Sequence, residues 1–267
     1  MQVVRPLIMG VVNVTPDSFS DGGRFLDHAA AIEHARAIVA EGADWVDVGG
    51  ESTRPRAEPV PAAEELRRVV PVVEALAGEG VAVSIDTRKA EVARAAVGAG
   101  ARMVNDVSAS LGAVAAAEGV AFVAMHMLGD PTTMQDDPSY DDVVRDVRDH
   151  LVARAGAAVA AGASEVWIDP GIGFGKSLDH NLALLAHLDV LVASGFPVVV
   201  GTSRKAMLGR LAARADGPGA PVPPPTDRLE GSVATAVWAW RAGAAMVRVH
   251  DVAATDRARV ALEATAA

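Results

Sequence analysis

The chain has 267 residues, 51% of them apolar, enough to bury one large α/β core, and no apolar run reaches the ~18 residues of a membrane span. Basic and acidic side chains number 24 and 34, and the resulting charge of −10 argues against a broad electrostatic grip on nucleic acid or an anionic membrane. The absence of cysteine excludes disulfides, thiolate zinc sites and a cysteine nucleophile.

Residues 1–10 lead straight into a strand pattern without a charged leader or cleavage signature, so a cytoplasmic protein is expected. Short β-branched runs at 7–12, 45–48, 81–85, 102–105, 121–125, 166–168, 198–200 and 246–249 predict eight strands. Between them, segments of helical period lie near 28–41, 62–78, 90–99, 110–118, 142–161, 180–193, 205–213, 228–242 and 254–265. Repeated β-then-α units with apolar strands imply a parallel sheet covered by helices. A doubly wound open sheet competes, but the length and strand count favour a closed (β/α)₈ TIM barrel, which typically takes about 250 residues. Residues 1–267 are therefore read as a single domain. The proline- and glycine-rich stretch 215–226 interrupts the last units as a surface loop rather than a domain boundary. Trp238 and Trp240 stand two apart on the helix that follows, so at most one is expected deep in the core.

Polar residues gather just after the strands, at the end where barrel enzymes keep their sites. Strand one runs into Asn13-Val-Thr-Pro-Asp-Ser-Phe-Ser-Asp-Gly-Gly23, and strand two into Asp47-Val-Gly-Gly-Glu-Ser-Thr-Arg-Pro55. Both look like loops able to close over a ligand. Strand three ends at Ser84-Ile-Asp-Thr87, strand four at Asn105-Asp106 and strand six at Asp169-Pro-Gly171. One such aspartate can simply cap the next helix. Three converging strand ends instead supply carboxylates and an amide that suit the paired N–H groups of an aminopyrimidinone edge.

Gly171-Ile-Gly-Phe-Gly-Lys176 fits neither the dinucleotide fingerprint nor the P-loop. Its glycines let backbone pass close to a flat ligand, with Phe174 packed against it. Strand seven ends in Gly201-Thr-Ser-Arg-Lys205 and strand eight in Arg248-Val-His-Asp251, where barrels often bind phosphate. Strand alternation points Arg248 and His250 to the same side. His126 has no second histidine at ligand spacing and reads as structural, with Met125 as an apolar pocket wall.

Together these motifs, with Met125-His-Met127, Thr133-Met-Gln135 and Arg248-Val-His-Asp-Val252, resemble the dihydropteroate synthase family of pterin-binding barrels, in order and over nearly the whole chain. The resemblance implies condensation of (7,8-dihydropterin-6-yl)methyl diphosphate with 4-aminobenzoate to 7,8-dihydropteroate and diphosphate. It implies that Asp86, Asn105, Asp169 and Lys205 hold the pterin with Met125 against it. Asn13, Arg248 and His250 would take the diphosphate, with Asn13 on a Mg²⁺ ion. Phe19, Ser52, Thr53, Arg54, Pro55, Phe174, Ser203 and Lys205 would build the 4-aminobenzoate site.

The implied chemistry is a dissociative, SN1-like substitution. Arg248, His250 and Mg²⁺ meet the charge of the departing diphosphate, and Asp86 and Asp169 stabilise the cation left on the pterin. Lys205 completes the catalytic set, and Asp21 is assigned to steadying the cation or the loops. The resemblance also implies a homodimer and a sulfonamide target. Two positions depart from the family pattern, Arg56 after Glu51-Ser-Thr-Arg-Pro55 and Ala109 after Asn105-Asp-Val-Ser108, where glycine is usual. Both bear on loop geometry and 4-aminobenzoate affinity.

Two rival functions are a methyltetrahydrofolate:corrinoid methyltransferase and a non-catalytic pterin-binding paralogue. The first has no need of the 4-aminobenzoate loop or Ser203-Arg-Lys205, and the second is free to lose Lys205, Arg248 and His250.

Overall fold

The computed structural model describes residues 5–15, 28–53 and 57–266. Among these, eight parallel strands alternate with helices, as the apolar runs predict. The first half comprises β1 (Leu7–Asn13), α1 (His28–Ala40), β2 (Trp45–Gly49), α2 (Ala62–Gly78), β3 (Val83–Asp86), α3 (Ala90–Gly98), β4 (Met103–Asp106) and α4 (Gly112–Glu118). The second comprises β5 (Ala121–Met125), α5 (Val143–Ala160), β6 (Val166–Asp169), α6 (Leu178–Ala186), α7 (Leu188–Val192), β7 (Val199–Val200), α8 (Ala206–Asp216), α9 (Leu229–Arg241), β8 (Met246–Val249) and α10 (Val252–Ala266). The strands pair in the order β6-β5-β4-β3-β2-β1-β8-β7, and a parallel bridge between Ile168 and Val198 joins the two ends. The sheet is therefore a (β/α)₈ barrel, not the open alternative.

The sequence predicts one helix over 180–193. It breaks at His187, whose ψ of 35° departs from the helix, giving α6 and α7. Helix α8 runs to Asp216, into the start of the proline-rich stretch.

Local chemistry explains several element boundaries. Pro71 lies inside α2, where its missing N–H leaves the carbonyl of Arg67 without its usual partner, and His28 Nε2 donates to that carbonyl at 2.9 Å. Asp142 caps α5 through the amides of Val144 and Arg145, and a Ser177–His180 capping box starts α6. Gly10 lets α1 lie close on β1, since a Cβ there would stand 2.7 Å from Ile38 Cδ1.

Two apolar cores follow from strand alternation. The larger lies between strands and helices; the smaller fills the barrel itself, where Met9, Met103, Val123, Trp167, Val199 and Met246 pack together. This plug is the floor on which the polar residues at the strand ends rest. Trp240 is buried, whereas Trp238 is 52% exposed and donates its indole N–H to the carbonyl of Leu185.

After β4 the chain turns on Asp106, whose carboxylate accepts from the amides of Ser108, Ser110 and Leu111. Asp106 thus serves the capping role open to any strand-end aspartate. The turn places Ala109 at φ 51°, the left-handed region that disfavours a Cβ. The Asp106 hydrogen bonds hold the glycine-type conformation despite the alanine. Ala109→Gly is expected to stabilise the fold by about 1 kcal/mol, because relief of left-handed strain outweighs the added unfolded-state entropy. An unchanged or lowered midpoint in urea unfolding would show that the turn carries no such strain.

Candidate active site

The C-terminal ends of the strands converge on one charged centre. Arg248 of β8 reaches across the mouth, donating from Nε to Asp47 Oδ2 at 2.6 Å and from Nη2 to Asp86 Oδ2 at 2.7 Å. The same Asp47 oxygen accepts from Asn105 Nδ2 at 3.0 Å. One carboxylate of β2 thereby orients both an arginine and an amide. Gly49 lies between the two neighbouring strand ends: a Cβ there would make ordinary contact with Asp86 Cβ at 3.5 Å and Asn13 Oδ1 at 3.8 Å. Asn13 of β1 and Asp86 of β3 thus flank Gly49 of β2.

A second group lies across the mouth. Asp169 Oδ1 accepts from the Gly171 amide at 2.7 Å, and its register partner on β5 is Met125, a buried wall. Lys205 donates to the carbonyl of Ile172, and its Nζ sits 4.6 Å from the centre of the Phe174 ring. Gly201 keeps the space between Lys205 and Arg248 open, since a Cβ there would stand 3.8 Å from Lys205 Nζ and 3.7 Å from Arg248 Cβ. His250 meets Ser203 through both its amide and Nδ1, each 3.1 Å from the Ser203 hydroxyl oxygen.

Between them, Arg204 adopts φ 59°, a strained value for a side-chain-bearing residue. Its guanidinium pairs with Asp251, its amide donates to Ser232 Oγ, and its carbonyl accepts from Arg228 Nη1. This over-determined turn fixes where Ser203 and Lys205 point.

Of the sequence-predicted residues, the structure groups Asn13, Asp86, Asn105 and Arg248 on one side and Met125, Asp169, Phe174 and Lys205 on the other. Ser203 and His250 form a third pair. Ser52 instead lines a cavity of about 170 Å³ toward the Asp130–Thr132 turn, and Thr53 is half-buried beside it in sequence. Phe19, Asp21, Arg54, Pro55 and Arg56 lie outside the described residues. The base of the second loop is tied down: Glu51 accepts from Arg88, Lys89 and the Val60 amide, while Lys89 also reaches buried Glu65 at 2.5 Å.

Electrostatics follow from burial and proximity. Burial, with the carboxylates of Asp47, Glu65 and Asp106, raises Asp86 to about 7 against the pull of Arg248. Burial likewise raises Asp169, opposed chiefly by Lys205. Burial lowers Lys205 to about 8, while Asp169 favours its charge. Burial also works against the charge of Arg248, but Asp47 and Asp86 outweigh it and hold the guanidinium protonated.

Sequence reasoning missed two residues. Asp47 was grouped with the loop after strand two, yet it sits within β2, fully buried, on the inward face shared with Trp45 and Gly49. A lone carboxylate at an inward position of an apolar strand is the signal that marks it. Lys176 closes the glycine loop and is buried; it donates to His126 Nδ1 at 2.9 Å. Burial, then Lys176, lowers His126 to about 3, and burial with Lys205 lowers Lys176 to about 7. Among the described residues no group of three or more histidine, aspartate or glutamate side chains is arranged to hold a metal, and no helix is long and apolar enough to cross a membrane.

A barrel with carboxylates, an amide and cations gathered at this end is a small-molecule enzyme of the pterin-binding class, and the sequence pattern described as "Pterin binding enzyme" matches residues 9–250: the chain belongs to that family. Within it, the relatives are dihydropteroate synthases. That of Mycobacterium leprae is 50% identical over 263 residues, covering 96% of this chain and 92% of the relative. A solved dihydropteroate synthase of Xanthomonas albilineans with 4-aminobenzoic acid superposes with a TM-score of 0.90 at 48% identity, covering 99% of this chain and 94% of that one. A structure of the Xanthomonas albilineans enzyme in complex with 7,8-dihydropteroate gives 0.87 at 45% identity, covering 100% and 96%.

Because Asp47 neutralises a largely buried arginine, Asp47→Ala is expected to destabilise the protein by about 3 kcal/mol, the cost of leaving one member of such a pair unpaired. Asp47→Asn should cost less, since its amide oxygen still accepts from Asn105. Equal stability of parent and alanine variant in urea unfolding would show that Asp47 does not carry this charge.

Proposed function

We infer that the chain performs the dihydropteroate synthase reaction at this mouth, joining (7,8-dihydropterin-6-yl)methyl diphosphate to 4-aminobenzoate and releasing diphosphate. The observation that carries the reading is the juxtaposition of Asn105 and Arg248 on the shared Asp47 carboxylate and of Asp86 on the same guanidinium, with Asp169 and Lys205 facing them. A corrinoid methyltransferase has no need of the Ser203–Lys205 turn, and a non-catalytic paralogue has no reason to keep Lys205, Arg248 and His250 together. The relatives' names favour the synthase over both.

The roles follow from residue chemistry. Asp86 and Asp169 accept from the N–H groups of the aminopyrimidinone, Asn105 supplies an amide and Lys205 a donor to the ring's acceptors. Met125 packs against the ring. Arg248 makes no hydrogen bond from Nη1 among the described residues, so this group and His250 are assigned to the diphosphate. Asn13, across Gly49 from Asp86, offers a neutral hard oxygen of the kind Mg²⁺ accepts alongside water and phosphate oxygens. That ion, when bound, neutralises charge on the leaving diphosphate.

As the C–O bond to diphosphate breaks, the electron pair leaves with oxygen and the methylene becomes a cation conjugated with the pterin. Asp86 and Asp169, on the ring, stabilise it. The arylamine nitrogen then forms the C–N bond with its lone pair and gives up a proton to the released diphosphate or to water. Ser52, Thr53, Arg54, Pro55, Phe19, Phe174, Ser203 and Lys205 are assigned to the arylamine, and Asp21 to steadying the cation or loops. The chain is assigned as one domain, with the proline-rich stretch after α8 as a surface loop, working as a cytoplasmic homodimer.

Diphosphate release from the pterin substrate, measured with and without 4-aminobenzoate, tests the reaction; release that needs no arylamine and yields no dihydropteroate would refute it. Asp86→Ala is expected to lower turnover by up to roughly 10⁴-fold, because the ring's donors lose their acceptor. Full activity in that variant removes Asp86 from the site.

A pH dependence follows from the same carboxyl. The ring's N–H groups need the ionised form, so pterin affinity should rise as pH increases through about 7, with a proton released on binding below it. Above that range Lys205, near 8, begins to lose its charge, and the gain levels off. Calorimetry in buffers of different ionisation enthalpy reads the proton directly; no proton release in the parent, or the same release in Asp86→Asn, would contradict the assignment.

A further inference from the structure

The loop from Gly171 to Gly175 presents its backbone in an unusual way. Gly171, Gly173 and Gly175 have φ of 64°, 86° and 61°, and a Cβ at Gly171 would fall 1.8 Å from the carbonyl oxygen of His126. Alternating left-handed glycines turn successive carbonyls in different directions, and each of the five finds a side-chain donor. Lys176 Nζ takes those of Gly171 and Phe174, both at 3.0 Å. Lys205 takes Ile172, Gln135 Nε2 takes Gly173 at 2.6 Å, and the Tyr140 hydroxyl takes Gly175 at 2.7 Å.

Lys176 is the inner member of this set. Its three ammonium protons face those two carbonyls and His126 Nδ1 at 2.9 Å, with the His126 carbonyl at 3.4 Å. Burying an ammonium is costly unless its donors are used, and here they are. The lysine ties the end of β5, carrying Met125 and His126, to the loop after β6. Those segments are the two walls beside Asp169. The turn held by Lys176 also aims the Ile172 carbonyl at Lys205 and sets Phe174 beneath the Lys205 ammonium.

We propose that Lys176 is a positioning residue for the pterin half of the site: it fixes the Gly171–Gly175 carbonyls, and through them the pose of Lys205, Phe174 and Met125. It touches no substrate itself. The inference rests on the reaction assigned above, but its test reads binding without turnover.

The probes are 6-hydroxymethyl-7,8-dihydropterin, the pterin without its diphosphate, and inorganic diphosphate. Lys176→Met keeps the length of the side chain and removes the charge. It is expected to weaken binding of the pterin alcohol at least about tenfold, the loss of one or two charged hydrogen bonds' worth of ordering. Binding of diphosphate, at strands β1 and β8, should stay within about twofold, a change of under half a kcal/mol. Unchanged pterin binding overturns the proposal, and so does equal weakening of both probes, which marks general loosening.

If Lys176→Met shows no cooperative unfolding, Tyr140→Phe decides. It removes the outer hydrogen bond to the same loop without disturbing a buried charge, and should weaken the pterin alcohol by about two- to fivefold, the value of one neutral hydrogen bond. No change there overturns the proposal. A parent protein that binds the alcohol yet releases no diphosphate from the full substrate would defeat the assigned reaction and leave the role of Lys176 standing.

Discussion

A guanidinium held inside a barrel between two carboxylates is the constraint on which the mouth of this protein depends. Arg248 joins β8 to β2 and β3, and the oxygen of Asp47 that receives it also receives Asn105 from β4. Hydrophobic side chains of similar volume would stabilise the same space at least as well, because taking three charges out of water is expensive. The triad is therefore better explained by what it aligns than by what it stabilises. It sets an arginine whose Nη1 has no hydrogen bond among the described residues, a carboxylate and an amide at fixed spacing, on strands rather than loops, where geometry is most rigid.

The other half of the mouth is shaped by backbone. In the β6–α6 connection the left-handed glycines turn peptide oxygens toward Lys176 and Lys205, so the loop acts as a ligand for two lysines. Beneath both halves the apolar plug of Met103, Trp167 and Met246 excludes water from the floor. Low polarizability below and fixed dipoles around are the conditions under which carboxylates act strongly on a nearby cation.

Much of this was legible in the sequence. All eight strands fall within two residues of the apolar runs that predicted them, because a fully buried parallel strand writes itself as a continuous β-branched run. The helix ends were less legible. The break at His187 has no proline or glycine to announce it and arises where the chain redirects between α6 and α7. Strand ends identified Asp86, Asn105 and Asp169 because polar residues there interrupt apolar periodicity. Asp47 escaped because the same interruption occurs inside the strand, and its partner Arg248 is 201 residues away. Lys176 escaped because its acceptors are carbonyls, which no sequence displays, and a histidine nitrogen 50 residues away. Asp106 shows the converse: it has the position of a ligand-binding aspartate and is consumed by its own turn.

Charge balance links the mouth to the chemistry assigned to it. Arg248, Lys205 and Lys176 stand against Asp47, Asp86 and Asp169, with Glu65 and Asp106 also acting on Asp86, so the set carries no excess of positive charge when all are ionised. A neutral pterin enters without disturbing that balance, whereas its diphosphate brings negative charge that the three cations already share with carboxylates. Asn13 is neutral, and His250 Nδ1 is engaged with Ser203. The divalent ion of the proposed reaction would supply positive charge that these side chains do not. In the proposed reaction the balance would tip the other way once diphosphate departs, leaving a positive methylene for Asp86 and Asp169 to meet. A mouth without a large excess of either charge would stabilise the separated charges at both ends without holding the starting diphosphate tightly, which suits the dissociative substitution proposed here.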